Sequence, residues 1–145
     1  MKEIFKLYEQ AANGNADALL FLMAFHVYCH AIDDLIDGDL EKSAENILDI
    51  LMQANVLYST PFYQAHSIRL GGIIASITNT YADSVAWEKS DEPWKKSVAD
   101  VIRQCGNDMV LAVAAITSGY RGMRNLSLRL REFAYKNQHQ EVPND

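Results

Sequence analysis

From Leu19 to Ile36 the chain is apolar on nearly every side, yet His26, His30, Asp33 and Asp37 recur within it at steps of four, three and four. That spacing is helical and sets the four polar side chains on one face, with Asp34 beside them. A helix this apolar is ordinarily enclosed by neighbouring helices. Carboxylates are costly to enclose unless something cationic compensates them, and like charges four residues apart repel. The segment therefore calls for a surrounding bundle and for a cation near Asp33, Asp34 and Asp37. The competing account is a solvated acidic helix end, because the three acids fall in the last turn before Gly38. Acids at that end oppose the helix dipole, which weighs against it.

The rest of the chain agrees with helix. Gly and Pro are few, and no long run alternates apolar with polar. The pattern predicts a first helix from about Lys2 to Ala12, closed by Asn13-Gly14, and a long second helix capped by Asn15 and stopped by Gly38. A third runs from near Glu41 to Tyr58. A fourth starts at Ser59-Thr60-Pro61 and reaches Glu88, with Leu70, Ile73, Ile74, Ile77, Tyr81 and Val85 as its core stripe. The Gly71-Gly72 pair inside it predicts a kink or a close approach by a neighbour. A fifth helix is expected from Pro93 to Ser118, ended by Gly119, and a sixth from Gly122 to Lys136. The expected architecture is an all-α, compact antiparallel bundle of about six helices around a buried central helix. It forms one domain over residues 3–136, followed by a frayed polar tail over 137–145.

At 145 residues, with 49% hydrophobic and 22% charged residues, the chain can bury a core without disulfide staples. Its formal net charge of -6 argues against a nucleic-acid partner, which needs a basic footprint. Cys29 and Cys105 lack C-x-x-C spacing and lie in apolar stretches, which predicts buried free thiols and a cytoplasmic protein. The start of the chain does not read as a signal peptide. The apolar run Ala18 to Cys29 gives way to His30, Asp33 and Asp34, so no membrane insertion is expected.

The acids make a hard divalent ion the first candidate cation, Mg²⁺ by oxygen preference, or Mn²⁺ if the histidines contribute. His26 and His30 taken alone read as core or hydrogen-bonding histidines sooner than as ligands. Arg121, Arg124, Arg129 and Arg131 cluster on the last helix and could grip phosphate, or simply form a solvated basic face. Asp100 and Gln104 read as surface polarity, whereas Asn107 and Asp108 precede the apolar run Met109 to Ile116 and are expected to be more buried. Trp87 and Trp94 read as packing anchors. No nucleophile elbow, Gly-rich phosphate loop or zinc-finger spacing is present.

The stretch Tyr28-Cys29-His30-Ala31-Ile32-Asp33-Asp34-Leu35-Ile36-Asp37 resembles the first aspartate-rich motif of the squalene and phytoene synthases, an aromatic-x-x-Cys-x-x-x-Asp-Asp-x-x-Asp segment on a central helix, with Tyr28 and Cys29 near its leading positions. The resemblance covers about 14 residues, from Phe25 to Gly38, of a chain shorter than family members. It implies an all-α fold in which Asp33, Asp34 and Asp37 hold Mg²⁺ against a substrate diphosphate. His30 stands where the family usually has Arg. A second acidic motif is implied on a facing helix, for which Asn79-x-x-x-Asp83 and Asn107-Asp108 are the partial candidates.

The functional expectation is a metal-dependent enzyme, or a degenerate relative of one, acting on a diphosphate-containing small molecule. Metal ligands would come from Asp33, Asp34, Asp37, Asp83 and Asn79, and substrate contacts from His26, His30, Asn107, Asp108, Arg121 and Arg124. Two alternatives stand beside it. One is an all-α nucleoside-triphosphate pyrophosphohydrolase, for which Asp34-x-x-Asp37 is a partial signature. The other is a non-catalytic helical protein that binds another protein, with a homodimer hiding the apolar excess.

Overall fold

The computed structural model describes residues 2–139. In order these form α1 (Lys2–Ala12), α2 (Ala16–Asp37), α3 (Ala44–Ser59), α4 (Pro61–Glu88), α5 (Pro93–Ile102), a 3-10 turn (Arg103–Gly106) and α6 (Asn107–His139), with no strand among the described residues. The fold is all-α, as expected. Local chemistry sets the ends. The Asn15 side chain accepts from the Ala18 amide to open α2, and Gly38 closes it in the left-handed region at φ 87°. Ser43 opens α3 by accepting from the Asn46 amide, so α3 starts a few residues later than the expected Glu41. Pro61 occupies the first turn of α4, where its missing N–H costs nothing.

Two expectations are corrected and a third is met. The stretch 93–118 is not one helix: the 3-10 turn separates α5 from α6, with Gly106 lying against the Phe25 ring. The break expected at Gly119 is present as a kink within α6, where φ 72° and ψ -175° are open only to a residue without a side chain. The Gly71-Gly72 pair is not the irregular point of α4. The non-helical residue is His66, and a Cβ on Gly71 would meet only the Tyr63 hydroxyl at an ordinary 3.6 Å. Of the expected tail, the backbone of 137–139 continues α6, and residues 140–145 lie outside the described residues.

The core gathers Phe21 and Leu22 of α2, Leu57 of α3, Leu70 of α4, and Met109, Val113, Leu126 and Leu130 of α6, all fully buried. Each such side chain contributes about 1.5–3 kcal/mol by leaving water. Phe21 packs on Phe62 and Tyr63 at centroid distances of 5.7 and 6.3 Å, fastening the start of α4 to α2. α1 buries the stripe Ile4, Leu7, Tyr8, Ala11 and Ala12. It is tied to α6 by the Thr117 hydroxyl donating to the Ala11 carbonyl at 2.6 Å and by Arg129 donating to Gln10 at 2.5 Å.

α2 is enclosed on one side only. Its buried residues are Ala18, Phe21, Leu22 and Phe25, while Leu20, Met23 and Val27 stand exposed at helical spacing on the opposite side. Neighbouring α3 exposes Ile47, Leu48, Leu51, Met52 and Val56 as well. By length and composition α2 is also apolar enough to cross a membrane, and only 17% of its most apolar window is buried. Among the described residues no helix covers these sides of α2 and α3.

Candidate functional site

The last turn of α2 brings Asp33 and Asp37 to one end of the molecule, four residues apart and therefore on the same face. The 3-10 turn points Arg103 at them. Its Nη2 donates to Asp37 Oδ1 at 2.6 Å and to Asp33 Oδ1 at 3.2 Å, and its Nη1 donates to Glu88 Oε2 at 2.8 Å. From α4, the Tyr81 hydroxyl donates to Asp33 Oδ1 at 2.6 Å, and the guanidinium lies over the Tyr81 ring at 5.0 Å. One guanidinium thus binds three carboxylates from two helices. Arg103 and its three carboxylates line a cleft of about 360 Å³, completed by Ala99, Asp100 and Gln104.

The electrostatics follow from this arrangement. Burial alone would lower the Arg103 pKa, but the bonds to Glu88, Tyr81 and Asp33 outweigh it and raise the pKa further, so the group is always charged. Burial also raises the Tyr81 pKa, and the bond it donates to Asp33 raises it more, so the phenol stays protonated as a donor. The cleft holds four carboxylates against one guanidinium, which leaves it acidic.

The cation required by the acids of α2 is therefore Arg103. Arg103 is not among the residues predicted from the sequence, although its isolation as the lone cation between Lys96 and Arg121, set in an apolar stretch, is the signal there that could have found it. Treating 93–118 as one straight helix hid where it faces. Tyr81, read as core, serves as a hydrogen-bond donor, and Asp100 and Gln104, read as surface polarity, line the cleft.

The other candidates are dispersed. Asp34 is exposed and is not among the residues lining the cleft. Asn79 and Asp83 pair with each other at 3.4 Å on the exposed side of α4. Each is two residues from Tyr81, so the helix turns both away when Tyr81 faces Asp33. Asn107 is half-buried and Asp108 is exposed, which corrects the expectation of burial for Asp108. Arg121 and Arg124 are exposed on α6. His26 is half-buried with its Nδ1 2.9 Å from the Tyr8 hydroxyl, and its ring meets exposed His30 at 4.3 Å. Burial lowers the His26 pKa, and the neighbouring His30 lowers it further.

Among the described residues no group of three or more His, Cys, Asp or Glu side chains is placed to hold a divalent ion. With Arg103 seated, Asp33, Asp37 and Glu88 converge on a guanidinium and not on a point between themselves. A resident ion does not fit this arrangement.

Fold and site together define an all-α helical protein whose acidic helix end is bridged by an internal arginine. No protein-family model, curated protein or solved structure matches the chain.

Proposed function

We propose that this chain acts by association, as a non-catalytic helical protein that docks a partner through the exposed apolar face of α2 and α3. The observation carrying this reading is that Leu20, Val27, Leu48, Leu51, Met52 and Val56 are each more than half exposed on two helices that pack against each other. Scattered exposed apolar residues are normal, but a row of them on neighbouring helices is a mark of an interaction surface. A partner there would also enclose α2, making it the central helix of the antiparallel bundle expected from the sequence. Asp33, Asp37 and Glu88 then serve as a clasp closed by Arg103. A photo-crosslinking residue placed at Met52 in the expressing cell is expected to give adducts of defined mass, and one at exposed Glu9 to give none. A folded Met52 derivative without adducts would overturn the reading.

A second reading is favoured by the cleft. Asp33 and Asp37, the residues of the isoprenoid-synthase-like motif, line it together with Glu88 and Asp100 in excess of the charge on Arg103. This supports a metal-dependent enzyme, or a degenerate relative, that admits Mg²⁺ or Mn²⁺ with a diphosphate-containing small molecule once Arg103 has left its carboxylates. Calorimetry with each ion, with and without inorganic diphosphate, separates the readings. Heat of binding in the wild type that is lost in Asp33→Ala/Asp37→Ala supports the second reading, and its absence in the wild type discards it.

A further inference from the structure

The second half of α6 carries a face opposite in character to that of α2 and α3. Arg121, Arg124, Leu128 and Arg131 follow one another at steps of three, four and three, all exposed, and so form one row. Between Tyr120 and Arg131 the chain holds four arginines and no acid. The apolar row of α3 is flanked by Glu45 and Asp49, both exposed, and that of α2 runs on to exposed Asp34. The strongly apolar face is thus rimmed by acids, and the basic face carries an apolar residue at its centre. Both faces stand exposed in the same chain, so neither covers the other.

We infer that the basic row of α6 from one copy docks on the apolar, acid-rimmed face of α2 and α3 of a second copy. The inference rests on the proposed docking role of that face and names its occupant. Charge decides between the two ways in which copies can meet. Pairing α2–α3 with α2–α3 across a two-fold axis would bring the acidic rims together. Like charges across an interface cost affinity, whereas opposite potentials favour encounter and fix orientation. Pairing α6 with α2–α3 matches the signs and sets Leu128 against Leu48 and Leu51. Such an interface is heterologous: the pair keeps one unused face of each kind, one on each copy, so association continues into a ring or a chain.

The test uses the full chain in sedimentation velocity over a wide concentration range at low and high salt. Wild type is expected to assemble, and to assemble less as salt rises. Arg124→Glu/Arg131→Glu and Leu48→Glu/Leu51→Glu are each expected to raise the dissociation constant at least about tenfold. All four positions are exposed, so circular dichroism should show both variants folded. Mixed in equal amounts, the two variants are expected to form a heterodimer that grows no further, because one intact face of each kind remains. Assembly of the arginine variant like wild type, with the leucine variant monomeric, would replace the inference by two-fold pairing and leave the docking role of α2–α3 intact. A wild type that stays monomeric at low salt would overturn the inference, and the crosslink at Met52 would then show whether α2–α3 docks a different protein.

Discussion

Replacing Arg103 with Met keeps most of the side-chain volume and removes the guanidinium from three carboxylates at once. The Arg103 side chain is only 15% exposed, whereas those of Asp33, Asp37 and Glu88 are 40%, 40% and 52% exposed. The carboxylates are therefore well screened, and each pair is assigned the contribution of a surface ion pair, at most about 1 kcal/mol. Three pairs share the ordering of one side chain, so about 2 kcal/mol in total is a reasonable expectation at low salt. For a chain of this size that corresponds to a fall in melting temperature of about 4–8 °C. The assay is thermal unfolding followed by circular dichroism at low and high salt. High salt should shrink the gap between wild type and variant, since screening weakens what Arg103 supplies. Divalent cations should restore part of the loss in Arg103→Met, where the acids are left uncompensated, and should leave wild type unchanged. A drop that does not depend on salt, or no drop at all, would refute the assignment of Arg103 as counter-ion to the α2 acids.

Three further outcomes are expected. Gly119→Ala should destabilise by about 1–3 kcal/mol in denaturant titration, because a side chain is strained at that backbone conformation although nothing lies within 4 Å of the new Cβ; an unchanged midpoint would show that the kink is dispensable. The native fold holds the His26 pKa below its ordinary 6.5, so the unfolded chain takes up the proton first as pH falls. The stability contributed by this group is full above that value and is lost as pH falls toward the native pKa, and His26→Gln should flatten the corresponding part of the stability–pH curve. Burial, aided by Cys105 and Asp33, pushes the Cys29 thiol up to about 12, and burial raises Cys105 too. Both should therefore resist alkylation at mildly alkaline pH until the chain is unfolded, and rapid labelling of the native protein would contradict their placement.

Much of the helical framework was readable because its signals are local. Asn15, Gly38 and Pro61 act through hydrogen bonds to residues next to them, or through their own backbone preferences, and those survive any tertiary context. The clasp was only half readable. The spacing of Asp33 and Asp37 and the need for a cation follow from the sequence alone, but the identity of that cation depends on a 3-10 turn that separates two helices and turns Arg103 back across the chain. Nothing in a helical periodicity announces such a turn, since Val101, Cys105 and Met109 continue the apolar spacing through it. Asn79 and Asp83 do not face the α2 acids, for the converse reason: Tyr81, between them, claims the face toward α2. The exposure of α2 was illegible in principle, because an apolar helix looks the same whether its cover comes from its own chain or from another.

The pairing of α1 with α6 has a consequence for biosynthesis. Ala11 meets Thr117 and Gln10 meets Arg129 across separations of 106 and 119 residues. α1, made well before α6, must therefore wait, with Ile4, Leu7 and Tyr8 unhoused, until the segment around residues 117–130 has left the ribosome. During that interval the greasy sides of α1, α2 and α3 are all open to water together. Nascent chains stalled before α6 should thus recruit chaperones far more strongly than chains released beyond it.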